Sequence, residues 1–407
     1  MHRRQLLTGL AVTAMGGPAF GKTADQPALM LNPGLPPGVL DTAVLDRLPG
    51  KKPLIKLSYR PPNYETPLWG LRSTITENDQ FFVRYHLSAI PEMDELRKNY
   101  TLNIGGDAAG KKISFTLEDL RREFRPAEVT AVCQCSGNRR GLFSPHVPGV
   151  QWGVGAMGNA VWSGVRLKDV LARAGVASGA VELGLAGADG PPLSVTPAFH
   201  KSLPIDKAMS DDVIIAFAMN HQKLPHYNGY PLRLIVPGWT ATYWTKHLTH
   251  LEIRTKPVDS FWMQKAYRVP KGMFPVEQPF ISQETQQTAP ITEIVVNSLI
   301  TSHDNNAVAT ARGFTVEGVA WDRGHGIRSV EVSFDGGVAW VPAKLGKDLG
   351  NYSFRAFSLP TGKLAPGRIS ILARATNNAG ETQPDKLKFN PAGYNNNVPL
   401  AVTLTLA

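Results

Sequence analysis

The pattern of apolar and polar positions divides this chain into short elements rather than long helices. Apolar residues recur at helical spacing in two stretches, 117–124 and 167–174. Short apolar runs that end at polar residues or at a Pro-Gly pair predict strands at 81–86, 129–133 and 232–236. Most polar groups with useful chemistry therefore fall at strand ends and in loops, which is where sites usually lie.

The pattern changes after about residue 290. Alternating strands are predicted at 329–334, 352–357 and 369–375, and this spacing is typical of a β-sandwich. We therefore expect an α+β chain, with a mixed α/β domain over 51–285 and an immunoglobulin-like sandwich over 286–407. Residues 22–50 are rich in Pro, Gly and Leu without clear periodicity, so we interpret them as an N-terminal arm.

The composition agrees with several folded domains and many turns. The 407 residues include 38 Gly and 32 Pro spread along the chain, and 43% of the residues are hydrophobic. The formal net charge of +10 favours an anionic substrate, an acidic protein or nucleic acid as a partner. Because the basic residues are scattered and not interleaved with aromatic ones, nucleic-acid binding is not expected.

The N-terminus has the pattern of an export signal. Residues 1–21 contain early arginines, a short apolar stretch and then small residues. The pair Arg3-Arg4 followed by Gln5-Leu6-Leu7 is similar to a twin-arginine signal, which would let the protein fold around a cofactor before export to the periplasm; an ordinary secretory signal is the alternative. No other apolar stretch approaches the roughly 20 residues that a membrane helix needs, so no membrane span is expected.

The two cysteines, Cys133 and Cys135, are one residue apart. A disulfide across one intervening residue closes a small, strained ring, and two sulfurs are too few for a cysteine-rich zinc or iron–sulfur site. A buried pair, one reactive thiol or a single thiolate that binds a metal remain open. Arg139 and Arg140 follow Cys135 closely, and nearby cations favour the thiolate that a metal needs.

The segment Cys135-Ser136-Gly137-Asn138-Arg139-Arg140 resembles the sulfite oxidase family, in which this cysteine binds the molybdenum of a pterin cofactor. Further segments match in family order, at 81–87, 151–153, 156–160, 230–239 and 246–248. The match runs from about residue 55 to the C-terminus, and several independent segments make it specific. The family's N-terminal haem domain has no counterpart, so we expect no haem in this chain. The likeness is greatest to stand-alone bacterial sulfite dehydrogenases that reduce an external c-type cytochrome.

The resemblance implies a role for each matching residue. Cys135 would supply the protein sulfur to molybdenum, with the pterin dithiolene and oxo groups as the other ligands. The catalytic residues lining the substrate pocket would be Arg84, Arg140, Trp152 and Tyr267. The cofactor would be held by Phe82, Val83, His86, Asp189, Asn228, Arg233, Trp244 and Lys246, with Arg233 and Lys246 on its phosphate. An ion-pair or core role is the alternative for each side chain.

One departure from the family lies near the C-terminus. Relatives usually carry another substrate-pocket arginine there, whereas the equivalent segment 390–397 offers asparagines, and the alignment puts Asn396 at that position. A neutral amide attracts an oxyanion less than a guanidinium does. This predicts weaker sulfite affinity or a different substrate preference.

The resemblance implies oxidation of sulfite to sulfate, with electrons passed one at a time to an external c-type cytochrome. A nitrate or sulfoxide reductase on the same cofactor is the alternative, because fold alone does not fix the substrate. A less favoured alternative is an inactive exported binding module. The terminal sandwich resembles the family's dimerisation domain, so a homodimer is expected.

Overall fold

The computed structural model describes residues 44–98 and 100–407. The predicted export signal and most of the N-terminal arm therefore lie outside the described residues. Within the described ranges, no helix is both long enough and apolar enough to cross a membrane.

The first part of the described chain is built mainly from short strands. Its strands are β1 (Leu45–Asp46), β2 (Leu54–Ser58), β3 (Asn63–Glu65), β4 (Val83–Arg84), β5 (Leu102–Gly105), β6 (Ile113–Phe115), β7 (Pro126–Gln134), β8 (Met157–Arg166), β9 (Glu182–Gly187), β10 (Lys201–Pro204), β11 (Ile214–Met219), β12 (Gln222–Lys223), β13 (Arg233–Ile235), β14 (Leu248–Arg254), β15 (Arg268–Pro270) and β16 (Thr288–Pro290). Its α-helices are α1 (Met93–Lys98), α2 (Leu117–Glu123), α3 (Leu167–Ala174), α4 (Ile205–Ala208) and α5 (Phe261–Gln264). Single 3-10 turns occur at Leu68–Leu71, Arg140–Leu142, His226–Asn228, Ala241–Tyr243 and Ile281–Gln283.

Three sheets form most of this first part; the second and third pack around its main core, and the first has a smaller core of its own. They have the strand orders β1-β2-β3-β4, β10-β9-β14-β5-β6 and β12-β11-β8-β7, and β13 pairs with β11 beside the third. The long hairpin β7–β8 runs in register from Pro126 opposite Val165 to Gln134 opposite Met157. Because β7 ends at Gln134, the segment that begins with Cys135 leaves the sheet at a buried edge.

The C-terminal part is a two-sheet β-sandwich, which confirms the predicted α+β class with a terminal β-rich domain. Its strands are β17 (Asn297–Ile300), β18 (Ala307–Ala309), β19 (Thr315–Trp321), β20 (Ile327–Ser333), β21 (Val341–Pro342), β22 (Lys344–Leu345), β23 (Arg355–Pro360), β24 (Gly367–Asn377) and β25 (Val402–Leu406). The sheets have the orders β17-β19-β23-β22 and β18-β25-β24-β20-β21. Alternate residues of both sheets pack into one apolar core, as the period of two requires.

The predicted elements are mostly present, and two differ for identifiable reasons. The helix predicted at 167–174 is α3, and the one at 117–124 ends one residue earlier. The strand predicted at 81–86 shrinks to β4, because only Val83 and Arg84 pair with β3. The strand predicted at 352–357 starts at Arg355, since the carbonyl of Tyr352 accepts instead from Val132 N in the first domain, at 2.9 Å.

Candidate active site

A cleft in the first domain gathers most of the predicted site residues. The empty space within it, including the open solvent at its mouth, totals about 610 Å³. Its lining includes Phe82, Arg84, His86, Cys135, Ser136, Asp189, Phe199, Tyr227, Asn228, Arg233, Ala241, Thr242, Trp244, Thr245, Lys246 and Tyr267. Residues up to 185 positions apart in sequence therefore meet in one place, because the ends of several sheets converge there.

The two cysteines occupy different environments. Both are buried free thiols, so no disulfide joins them. Cys133 lies within β7 against Arg233, whose Nη2 is 3.2 Å from the sulfur, and burial raises the pKa of the Cys133 thiol. Cys135 lies just beyond the strand and lines the cleft. Of the pair, Cys135 is the one placed to bind a metal.

The backbone after Cys135 is fixed by hydrogen bonds from both directions. Cys135 N donates to the carbonyl of Ala156 at 2.9 Å, and Ala156 N donates to Oδ1 of Asn138 at 3.0 Å. The buried Arg139 guanidinium donates to the carbonyls of Ser298 and Val398 in the sandwich, at 2.6 and 3.2 Å. Arg139 therefore joins the cysteine loop to the C-terminal domain, and burial lowers its pKa to about 9.

Two buried cations lie on the cleft without a carboxylate partner. Arg233 donates to the carbonyl of Asn228 at 3.1 Å, and Lys246 donates to the carbonyl of Arg84 at 2.8 Å. Neither forms an ion pair within the described part of the chain. Burial lowers the pKa of Lys246 to about 7, and the charge of Asp189 acts against this shift. An anion bound here would stabilise both cations.

Four neighbouring polar atoms are buried without a hydrogen-bond partner among the described residues. They are Oγ of Ser136, Nε of Arg233 and the hydroxyls of Thr242 and Thr245. A buried polar group left unpaired costs about 1–3 kcal/mol, so their presence together indicates a ligand site. We call Ser136, Arg233, Thr242, Thr245 and Lys246 the donor group. Its cations and hydroxyls fit the phosphate and polar edge of a pterin cofactor.

Aromatic rings surround His86, which was predicted to bind the cofactor, and Tyr267, which was predicted to line the substrate pocket. The His86 ring stacks on Phe199 with centroids 3.9 Å apart, and its Nε2 hydrogen-bonds with the hydroxyl of Tyr267. Tyr267 in turn stacks on Tyr394 at 5.6 Å with an interplanar angle of 7°. Trp262 packs edge-on against His86 at 5.0 Å. We call His86, Phe199, Trp262, Tyr267 and Tyr394 the aromatic group.

Electrostatics fix the protonation states within the aromatic group. Burial lowers the pKa of His86 well below its usual value, and the charges of Arg84 and Lys246 add to this shift. Burial raises the pKa of Tyr267, which the charge of Arg84 opposes. At neutral pH the imidazole is therefore neutral and the phenol is protonated.

Three predicted site residues lie beside the cleft rather than on its lining. Arg140 donates to the carbonyls of Ala392 and Val150, at 2.9 and 3.2 Å. Trp152 is fully buried, and Val83 pairs with Tyr64 in the small sheet.

Asn396 also lies off the lining. It is buried and donates to the carbonyl of Arg139 at 3.2 Å, so it lies behind the cysteine loop. From the same segment, the ring of Tyr394 stacks on that of Tyr267.

The sequence reasoning missed several residues that complete the site. Phe199, Thr242 and Thr245 line the cleft, and the buried Lys201 lies over the rings of Tyr243 and Tyr267 at 4.6 and 5.2 Å. Burial lowers the pKa of Lys201 well below its usual value. The hydroxyl-rich run at 240–245 was the one available signal, since buried hydroxyls need partners.

The donor set limits how a metal could bind. Among the described residues, no group of three or more His, Cys, Asp or Glu side chains could hold a metal ion. A metal at Cys135 would therefore take its remaining ligands from outside the protein, as a pterin dithiolene provides. The cation-rich donor group next to Cys135 fits that cofactor.

Two family models match the chain. The oxidoreductase molybdopterin binding domain matches residues 87–262, and the Mo-co oxidoreductase dimerisation domain matches residues 288–406. The predicted domain limits at 51 and 285 lie outside both matches and stay predictions.

Relatives and a solved structure agree with these models. Sulfite oxidase of Gallus gallus is 32% identical over 81% of this chain and 72% of its own length. Mitochondrial sulfite oxidase of Mus musculus is 32% identical over 83% of this chain, but the match spans only 62% of the mouse protein. The crystal structure of the sulfane dehydrogenase SoxCD from Paracoccus pantotrophus superposes with a TM-score of 0.70, covering 86% of this chain and 88% of that one at 27% identity.

Fold, cleft and matches together define a molybdopterin-dependent oxidoreductase with a dimerisation domain. Molybdenum held by molybdopterin is its cofactor. The chain belongs to the sulfite oxidase family.

Proposed function

We propose that this protein oxidises sulfite to sulfate at a molybdenum centre bound by Cys135 and passes the electrons one at a time to an external c-type cytochrome. The observation that carries the proposal is that Cys135 shares one cleft lining with Arg84, His86 and Tyr267. A sulfur ligand suited to a soft metal thus lies beside donors suited to a small oxyanion.

The side chains around Cys135 can bind and orient sulfite. The reaction adds one oxygen atom from water to sulfur and releases two electrons and two protons; the bound cofactor would supply the two-electron oxidation. Nη1 of Arg84 is held by Oδ1 of Asn63 at 3.1 Å and by the carbonyl of Tyr85, so the orientation of the guanidinium is fixed. A pre-oriented guanidinium attracts sulfite without being reorganised during the reaction.

His86 and Tyr267 can handle a proton. Their hydrogen bond joins a neutral imidazole to a protonated phenol. The neutral imidazole can accept a proton released beside the metal site, and this uptake, unlike a transfer within the pair, changes the local charge without admitting water. The pair therefore suits the coupling of proton release to one-electron transfer.

The remaining parts of the proposal concern location and partners. The predicted twin-arginine signal at 1–21 would deliver the folded holoenzyme to the periplasm. The match of residues 288–406 to a dimerisation domain supports a homodimer. The net charge of +10 is suited to an acidic docking face on the cytochrome.

A second candidate is oxidation of a sulfane sulfur. The likeness to the sulfane dehydrogenase structure, at a TM-score of 0.70, favours it. Sulfite remains the first candidate, because Arg84 lies on the lining with Tyr267.

Purified holoenzyme tests these candidates directly. It should reduce an added c-type cytochrome when given sulfite, and Cys135→Ser with its molybdenum content measured should not. Thiosulfate as a sulfane donor and nitrate with a reduced dye would be assayed in parallel. Higher kcat/KM on thiosulfate than on sulfite would favour the second candidate, and nitrate turnover without sulfite oxidation would replace both. A protein without molybdenum or pterin from a cofactor-competent host would support a binding module.

A further inference from the structure

We propose that Tyr394 is a specificity-determining residue of the substrate site, and that its hydroxyl donates a neutral hydrogen bond to an oxygen of the substrate. The inference deepens the proposed function and rests on it. In this inference, Tyr394 rather than Asn396 is the residue of the C-terminal domain that contacts the substrate.

The asparagines of segment 390–397 are engaged with the main chain. Asn390 accepts from Tyr394 N at 2.9 Å and donates to the carbonyl of Tyr394 at 3.0 Å. Asn395 and Asn397 donate to the carbonyls of Glu293 and Val296, at 3.2 and 3.1 Å. With Asn396 bonded to Arg139, these amides fix the backbone of the segment. Within the segment held in this way, Tyr394 is the residue whose ring stacks on Tyr267.

Close packing sets the position of this tyrosine. A Cβ on Gly393 would lie 2.7 Å from Cγ of Arg140 and 2.6 Å from Cγ2 of Val147, and Gly393 has φ +63°. A glycine is therefore required for the segment to approach Arg140 this closely. As a result, the Arg140 guanidinium lies 5.2 Å from the Tyr394 ring centroid, and Tyr394 stacks flat on Tyr267.

The Tyr394 hydroxyl is a free donor in this packing, whereas the unpaired atoms of Asn395 and Asn396 among the described residues are amide oxygens, which only accept. Tyr394 as a whole is 7% exposed. Within the part of the chain that the structure describes, Asn390 bonds to its main chain, and its hydroxyl has no hydrogen-bond partner. Burial and the Tyr267 phenol raise the pKa of Tyr394, so the hydroxyl is a donor at neutral pH. Tyr394 is not on the cleft lining itself, but its ring stacks on Tyr267, which is, and lies against the Arg140 guanidinium.

The chemical consequence is a pocket that replaces one positive charge with a neutral donor. Where the family resemblance implies an arginine, Tyr394 offers one directed hydrogen bond and an apolar face. Such a site would select among substrates by the positions of their oxygen atoms more than by their net charge. It should therefore bind a tetrahedral or pyramidal sulfur oxyanion with moderate affinity.

Tyr394→Phe tests the hydroxyl, and Tyr59→Phe at an exposed tyrosine is the matched control. For each holoenzyme, molybdenum content, the kcat and KM for sulfite, and the Kd for sulfate by equilibrium dialysis would be measured. We expect Tyr394→Phe to raise the sulfite KM and the sulfate Kd about tenfold, as for loss of a hydrogen bond to an anion, with kcat little changed. Tyr394→Leu, which also removes the stacked ring, should lower kcat as well.

Unchanged KM and Kd in Tyr394→Phe, relative to Tyr59→Phe, would overturn the inference. If the wild-type holoenzyme binds sulfate but does not oxidise sulfite, the proposed function alone fails, and the sulfate Kd of the two variants still decides the role of Tyr394. If the wild type neither binds sulfate nor oxidises sulfite, both are overturned.

Discussion

The donor group and the aromatic group share one cleft but hold their polar atoms differently. In the donor group, Arg233 and Lys246 each donate to a carbonyl, but four buried polar atoms have no hydrogen-bond partner among the described residues, including Nε of Arg233 and the hydroxyl of Thr245. In and around the aromatic group, Arg84 and Arg140 are held by carbonyls, and His86 and Tyr267 bond to each other. The first arrangement suits one permanent anion bound tightly. The second suits a substrate that must bind and then leave.

The largest expected effect is on the donor group. Arg233→Met should leave a bound phosphate without its buried cation, at a cost on the order of 2–5 kcal/mol. We expect purified Arg233→Met to lose most of its molybdenum and pterin, measured as metal and pterin per chain. Arg312→Met, at an exposed arginine of the sandwich, is the control and should retain both. If Arg233→Met keeps its full cofactor content, the donor group does not hold the cofactor as proposed, and the distinction between the two groups is wrong.

A smaller effect is expected beside the aromatic group. Arg84→Met should raise the sulfite KM at least about tenfold, because a charge-assisted hydrogen bond to the substrate is lost. Its molybdenum content should stay near that of the wild type, since Arg84 contacts Lys246 only through a carbonyl. Steady-state kinetics with metal analysis check this. If Arg84→Met loses as much cofactor as Arg233→Met does, both groups hold the cofactor, and the comparison fails.

The loop that carries Trp152 allows a test by pH. Buried Glu65 accepts from the N–H groups of Gly153 and Gly155, both at 2.7 Å, and burial raises its pKa from 4.5 to about 7. A raised pKa contributes stability that is fully present below about pH 4.5 and is lost as pH rises through about 7.

Glu65→Gln removes this titration. Relative to the variant, the wild type should therefore lose on the order of 3 kcal/mol of unfolding free energy between about pH 4.5 and pH 7. Denaturant unfolding of both proteins across that range measures the difference. A difference that does not change with pH would show that Glu65 is ionised throughout.

The smallest effect is expected at Asn396. Asn396→Ala removes one hydrogen bond to the Arg139 carbonyl, so it should cost about 1 kcal/mol of stability and leave the sulfite KM unchanged. Thermal unfolding and kinetics would be compared with the wild type. A raised KM with full cofactor content would return the substrate role to Asn396.

The sequence predicted helices well where residues next to each other in the chain determine the helix ends. The helix at 167–174 ends at Gly175, which has φ +78° and terminates it. In α2 the side chain of Thr116 accepts from Asp119 N, and Thr116 N donates to the Asp119 carboxylate. Tertiary contacts decided the exceptions, as at Tyr352, whose carbonyl pairs across the domain boundary.

The candidate site was predictable only in part. The family resemblance selected Cys135, Arg84, Tyr267 and the buried cations, and all of these line one cleft. It could not show that Asn396 bonds to the main chain of the cysteine loop while Tyr394 stacks on Tyr267, because the segment 390–397 has no periodicity that indicates where each side chain points. Lys201 was missed for a similar reason: it starts a strand and reads as a surface lysine, yet it is buried.

The central claim is that Cys135 binds molybdenum in a cleft whose donor group holds the pterin. X-ray absorption at the molybdenum edge of the wild-type holoenzyme and of Cys135→Ser tests it most directly. We predict that the variant keeps its pterin and molybdenum but shows one sulfur ligand fewer, together with loss of sulfite-dependent cytochrome reduction. An unchanged sulfur coordination in Cys135→Ser would contradict the assignment.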